Sequence, residues 1–287
     1  MLTANKAMGM LVGLSVGDAL GAPLEFTPSR EPKNYITKYA TGGAHSMKIG
    51  EWTDDTAMAM AMAEAIIEHK GFNPHQTMSN FVEWYMHGKY IPRKVCFDIG
   101  QTTQRALEAF IADTTRPYQG QFSDKSSGNG ALMRIAPVII AAPDKTTAIT
   151  WATQQTLLTH GSNTAVRYSQ MFAEELWHAN ALEKYDMYRH DVSIARKDVL
   201  SGGYVVETYQ CAMWAFQTTD NFEDCVVKAV NRGHDSDTCG AVAGMIAGAY
   251  YGIGGIPDHL LDNLMWRQYI SDMAYKLWTV KGVASWG

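Results

Sequence analysis

Three glycines spaced four residues apart, Gly240, Gly244 and Gly248, run through HDSDTCGAVAGMIAGAYYG. Each costs a helix roughly 1 kcal/mol relative to alanine, so a stripe of them makes sense where a second element has to come close. The same spacing occurs in membrane helix dimers, but this stretch is too short and its leading flank too charged for that use. The pattern predicts a buried helix over 238–252, packed tightly against another helix. The alanine-rich stretch over 55–69, with Ala57, Ala59, Ala61 and Ala63, is the expected partner.

Apolar residues at three-to-four spacing also predict helices near 5–20, 76–87, 99–113, 130–141, 146–157, 161–180, 204–217, 221–231 and 266–280. Alternating β-branched runs are scarce, so the expected fold class is all-α, a single domain spanning 1–287 in which helices pack as layers. Hydrophobic residues make up 46% of the chain and charged residues 18%, which excludes a disordered segment. A net charge of −5 gives no footprint for nucleic acid. Four scattered cysteines without a CxxC pair read as reduced thiols in a cytoplasmic protein. The apolar N-terminal run AMGMLVGLSVGDALGA has one basic residue before it, Lys6, and is interrupted by Asp18. It is too short to span a bilayer and reads as a first buried helix. Nothing resembles a coiled coil, so a monomer is expected.

Three long polar stretches, at 23–55, 114–130 and 190–203, each end where a helix is expected. Long loops within a compact domain more often than not carry function. Two helix starts look alike: Thr53, Asp54, Asp55 and Thr56 before one helix, and Asp235, Asp237 and Thr238 before another. Capping explains one side chain per helix, since each helix has a single N-cap position. Four carboxylates brought together would repel unless cations offset them. Oxygen-only donors suit hard divalent ions, Mg2+ or Mn2+, and four acids suffice for two of them.

With these residues in view, the chain resembles the ADP-ribosylglycohydrolase family, notably its bacterial dinitrogenase-reductase-activating type. The resemblance rests on seven landmarks in order: GLSVGDALGAPLEF, EWTDDTAM, CFDIGQTT, SSGNGALMRIAPV, LLTHGS, GGYVVETYQCAMWAF and VNRGHDSDTCGAVAGMIAGAYYG. It implies an all-α orthogonal bundle around a binuclear metal site, with Thr53, Asp54, Asp55, Asp235, Asp237 and Thr238 as metal ligands. It also implies cleavage of an N-glycosidic bond that releases ADP-ribose from an ADP-ribosylated protein, with arginine favoured as the linkage. Two acids compete for proton transfer, Asp98 more firmly than Glu25; as bare sequence, one reads as a helix cap and the other as a solvated loop acid. Substrate contacts are expected from the loop Ser126, Ser127, Gly128, Asn129 and Gly130, placed at a helix start where free N–H groups suit a diphosphate. Gly100, His160 and Tyr204 complete the expected contacts, and Trp52 supports the metal loop.

His234 departs from the family pattern, where a small or acidic residue is expected, and it carries no assigned role. It creates a His-Asp dipeptide, the mark of an all-helical metal phosphohydrolase, but the other histidines form no matching series. A catalytically silent ADP-ribose-binding relative is the non-enzymatic alternative.

Overall fold

The computed structural model describes residues 2–179 and 194–280. Among them the backbone forms α-helices, short 3-10 turns and three isolated bridges, with no named strand. In chain order the helices are α1 (Ala4–Gly21), α2 (Asp54–His69), α3 (Pro74–His87), α4 (Gln101–Ala112), α5 (Ala136–Ala141) and α6 (Lys145–Leu157). They continue with α7 (Asn163–His178), α8 (Val205–Gln217), α9 (Phe222–Val230), α10 (Ser236–Tyr251), α11 (Asp258–Leu261) and α12 (Arg267–Val280). The all-α expectation is met. Residue 180 of the helix expected over 161–180, and residues 190–193 of the third loop, lie outside the described residues.

Five helix starts are capped conventionally. Thr3, Asn73, Asp144, Ser162 and Asn221 each accept a hydrogen bond from the N–H three residues on, closing one of the donors that a helix start leaves free. The two acidic starts are not. Thr53 before α2 and Asp235 before α10 make no side-chain cap bond. The capping explanation therefore fails at the two acidic starts, where the side chains are directed elsewhere.

The helix expected over 130–141 is shortened to α5, with turns before it. Pro137 has no N–H to give Met133, so a continuous helix cannot run through it. The four-residue α11 is too short to leave a periodic signal in sequence.

The partner of the glycine stripe is α1, not α2. A Cβ built on Gly240 would sit 2.4 Å from the Gly17 carbonyl oxygen, on Gly244 2.0 Å from that of Gly13, and on Gly248 1.9 Å from that of Gly9. The reverse holds for Gly9, Gly13 and Gly17, and at the end of the row Gly21 faces the backbone of Ser236 and Asp237. The two helices thus run antiparallel with backbone against backbone, which only matching glycines allow. Ala57, Ala59, Ala61 and Ala63 could not do this. Residues two apart do not share a helix face, and a methyl group would hold the backbones apart.

This arrangement places the end of α1 beside the start of α10. It also buries α1: with the turn that follows it, the helix is 21 residues long and apolar enough to cross a membrane, contrary to the sequence-based expectation, yet 94% of its apolar window is buried inside the protein. α2 is likewise buried from Asp54 to Ala63, and α10 from Ser236 to Ala249. Trp52, fully buried, donates from its indole N–H to the Met265 carbonyl and meets Trp266 edge to face at 5.5 Å, bracing the turn before α2.

Gly244→Ala is expected to cost about 3 kcal/mol or more, because its methyl must displace backbone rather than a flexible side chain. Gly71→Ala, whose nearest neighbour is the Trp151 ring at 3.8 Å, is expected to be near neutral. Urea titration of both variants checks the contrast.

Candidate active site

The acidic start of α2 is built on a residue the sequence showed only as an interruption. Asp18, on α1, is fully buried. Its Oδ1 accepts from the Thr53 N–H at 2.9 Å and the Thr53 hydroxyl at 3.0 Å. Its Oδ2 accepts from the Thr56 N–H at 3.0 Å and the Thr56 hydroxyl at 2.6 Å. Burial raises the Asp18 carboxyl to about 6, and these four bonds work against the rise. Taking the place of a cap, Asp18 accepts from the Thr56 N–H in the first turn of α2, a bond for which Asp54 and Asp55 are then not needed.

Because α1 carries Asp18 and lies along α10, the second acidic start arrives at the same place. Thr53 Oγ1 lies 3.3 Å from Asp237 Oδ2, and the Thr238 hydroxyl donates to Asp55 Oδ1 at 3.3 Å. Oxygens of Asp54, Asp98 and Asp237 all fall within 4.8 Å of one another. Asp235 Oδ2 accepts from the Asn129 side-chain amide at 2.9 Å. Burial, followed by the neighbouring acids, pushes Asp54, Asp55 and Asp237 well above the usual carboxylate range. Among the described residues Asp55 Oδ2, Asp98 Oδ2 and Asp237 Oδ1 are buried without a hydrogen-bond partner. Buried carboxylate oxygens in that state are costly, and a hard divalent cation is the charge that would satisfy them together. The donor set fits a metal site.

A cavity of about 480 Å³ opens beside these acids. Asp54, Asp235, Asp237 and Thr238 line one side of it, Gly128, Asn129, Gly130 and His160 another, and Glu25, Asp98 and Gly100 a third. Neither proton-transfer candidate has the bland role its sequence context allowed. Glu25 is buried rather than solvated, and Asp98 caps nothing, since the N-cap of α4 is Gly100. His45 joins the two acids: its Nε2 lies 2.9 Å from Glu25 Oε2 and 3.1 Å from Asp98 Oδ1. Burial first, then Asp98 and Asp235, raise Glu25 from its ordinary 4.5 to about 8. The bond to Asp98 is the largest cause holding the His45 imidazole above its usual value. The Arg93 guanidinium fixes the His45 backbone, donating to its carbonyl at 2.7 Å while forming a bidentate pair with buried Glu51.

Three residues around this site have a left-handed backbone: Phe26 (φ 59°), Asp98 (φ 61°) and His234 (φ 56°). Such strain persists only when the surroundings impose it. Here Phe26 donates its N–H to the His234 carbonyl at 2.7 Å and His234 donates to the Thr27 carbonyl at 2.8 Å. The Glu25 loop is thereby stapled to the loop that carries Asp235.

Some expected contacts stand elsewhere. The segment Ser126–Gly130 does not open a helix, because Pro137 delays α5, and the Asn129 N–H is already given to the Gly203 carbonyl at 3.1 Å. Ser127 Oγ bonds Ser162 Oγ at 2.8 Å, and Ser126 borders a smaller neighbouring cavity together with Arg105 and Lys125. Tyr204 is 45% exposed, and neither it nor Thr53 or Asp55 lines the main cavity. Sequence reasoning missed Asp18 and His45. An acid inside an apolar helix was the available signal for the first; a lone loop histidine gave none for the second.

The sequence model of the ADP-ribosylglycohydrolase family matches residues 2–285. The chain belongs to this family. It is 33% identical over 291 residues to an ADP-ribosylarginine hydrolase of Pseudomonas putida (strain GB-1), an alignment covering 95% of this chain and 78% of that one. It is 30% identical over 285 residues to the ADP-ribosyl-[dinitrogen reductase] glycohydrolase of Rhodospirillum rubrum, covering 91% and 90%. A solved ADP-ribosylglycohydrolase-related protein complex superposes with a TM-score of 0.84 at 32% identity, covering 97% of this chain and 98% of its own.

Between about pH 4.5 and about 8 the folded, metal-free chain keeps a proton on Glu25 that an unfolded chain has released, so its stability falls as pH rises, and the raised carboxyls of Asp54, Asp55 and Asp237 act in the same direction. Added Mg2+ or Mn2+ is expected to raise the melting temperature, and by more at about pH 8 than at about pH 5. Equal shifts at both would mean that the ions bind away from these acids.

Proposed function

We propose that this member of the family is a metal-dependent hydrolase that removes ADP-ribose from ADP-ribosylated arginine by cleaving the N-glycosidic bond. The observation that carries the reading is a set of buried, unpartnered carboxylate oxygens, on Asp98 and Asp237 in the cavity and on Asp55 beside it, in a cavity that Glu25, Asp54 and Asp235 also line. The names of the Pseudomonas putida and Rhodospirillum rubrum relatives support the substrate class. In this reading Thr53, Asp54, Asp55, Asp235, Asp237 and Thr238 hold two divalent cations, Mg2+ or Mn2+. Bound there, the ions supply Lewis acidity toward ribose hydroxyls and water.

The chain's own residues do the rest. Loss of a guanidinium from ribose builds positive charge on the sugar, and the surrounding carboxylates favour that charge electrostatically. Asp98 and Glu25 line the cavity and His45 keeps them at one spot, where in this reading a proton is taken from water or handed to the leaving nitrogen. Asp98 is assigned the transfer, and Glu25, held beside it through His45, supports it. Gly128, Asn129 and Gly130 receive the diphosphate as an open loop, and His160 stands behind them. We further propose that the chain works as one domain, as a monomer in the cytoplasm; its four cysteines are free thiols, which supports that compartment.

Purified protein given each metal is expected to release ADP-ribose from ADP-ribosyl-arginine peptides and not from ADP-ribosyl-serine peptides. Asp237→Asn is expected to abolish release and lower metal content. Asp98→Asn is expected to lower kcat by about a hundredfold or more with metal content retained. Loss of metal in Asp98→Asn would reassign it as a ligand. Tight ADP-ribose binding without release would make the protein a binding relative, and phosphate release from nucleotides a phosphohydrolase.

A further inference from the structure

Arg134 is fully buried beneath the cavity and faces no carboxylate at contact distance among the described residues. Its guanidinium lies 4.6 Å from the centre of the Phe81 ring. It donates through Nε to Gln155 Oε1 at 3.3 Å, and through Nη2 to the Gln155 carbonyl at 3.4 Å and to Thr159 Oγ1 at 2.7 Å. Gln155 is itself locked, its amide donating to the Ala131 carbonyl at 2.9 Å. A buried charge held this firmly by neutral groups is costly, and stability alone does not call for it. Its shortest bond points toward the site.

Thr159 is buried, and among the described residues its hydroxyl oxygen has two partners, Arg134 Nη2 and His160 Nδ1, the latter at 2.8 Å. A guanidinium only donates, so Thr159 must accept from Arg134. Its one hydrogen then has a single acceptor within reach, His160 Nδ1. If Nδ1 carried the proton instead, the Thr159 hydrogen would be buried with nothing to bond, which is costly. We propose that Arg134, acting through Thr159, sets the tautomer of His160 and makes its Nε2 a standing hydrogen-bond donor to an oxygen acceptor in the cavity. Nε2 faces the glycine loop: a Cβ on Gly128 would sit 3.3 Å from it, and one on Gly130 2.9 Å from the adjoining Cε1. Burial, then the Arg134 charge, lowers the imidazole to about 3, so the ring donates as a neutral group throughout the neutral range. Arg134 is itself lowered only to about 9 and remains a cation there.

Such a donor accepts a hydroxyl or phosphoryl oxygen and rejects an ammonium or amide N–H at the same spot. Naming ADP-ribose as the source of that oxygen rests on the function proposed above; the tautomer does not. Arg134 and Thr159 are positioning residues, since neither lines the cavity.

The test is nitrogen NMR of metal-loaded protein labelled with [15N]histidine, with the His160 signals assigned by loss in His160→Gln. Before any ligand is added, Nδ1 is expected bare and Nε2 protonated. Thr159→Val, which keeps the shape and removes the hydroxyl, is expected to populate both tautomers and to weaken ADP-ribose binding about tenfold in calorimetry. Thr159→Ser is expected to restore both. A proton on Nδ1 in the parent protein, or an unchanged tautomer in Thr159→Val whatever its affinity, would overturn the proposal. If the parent protein bound no ADP-ribose, the functional reading would fall, while the tautomer measurement would still decide this one.

Discussion

Everything in this molecule hangs on the contact of α1 with α10. Two rows of glycines, Gly9, Gly13 and Gly17 against Gly240, Gly244 and Gly248, let two helix backbones touch. The contact does more than fill the core. It fixes the end of α1 against the start of α10, so that Asp18 and Asp237 are held by the same rigid pair. Asp18 in turn binds Thr53 and Thr56, and the start of α2 is drawn to the start of α10. The acidic starts touch through the Thr238 hydroxyl and Asp55, but α2 and α10 do not lie along one another as α1 and α10 do. A third helix brings them together.

That geometry explains the energetic peculiarity of the site. Helix starts ordinarily use an acid to satisfy free N–H groups, which spends the carboxylate. Here Asp18 answers the Thr56 N–H from another helix, and Asp54 and Asp55 are left out of that role. The result is a group of buried acids that oppose one another and a chain that is strained until positive charge arrives. The left-handed backbone at Phe26, Asp98 and His234 belongs to the same account. Aiming Glu25 and Asp98 into the cavity costs local conformational energy, offset by the backbone staple between Phe26, Thr27 and His234.

Much of this was legible in the sequence, and the illegible parts have a common cause. The helices followed from period and composition, and the two acidic starts from a surplus of oxygen donors over what capping uses. The glycine stripe announced a close approach. Its partner is not the row Ala57 to Ala63, whose two-residue spacing turns successive methyls to different faces, but Gly9, Gly13 and Gly17, which share the four-residue period. The start of α5 falls later than the apolar pattern implies, because Pro137 stops a helix from running through it. Asp18 and His45 were invisible for a different reason. Each acts through residues far away in the chain, Asp18 on Thr53 and His45 on Glu25 and Asp98, and local pattern carries no information about such pairing.

The two halves of the site are also tied electrostatically. Asp54, on the acidic side, is the neighbour whose charge helps Arg134 remain a cation in spite of its burial. Arg134 is the charge that, with burial, keeps His160 neutral in the same cavity. The cavity therefore presents acceptors suited to a cation together with a neutral donor beside Gly128 and Gly130. A ligand that satisfies both must carry oxygen atoms along its length: hydroxyls that can share a cation with the acids at one end, and acceptor oxygens to meet His160 and the 128–130 loop at the other. A sugar joined to a diphosphate has that order of groups, whereas a plain peptide or an apolar ligand satisfies neither.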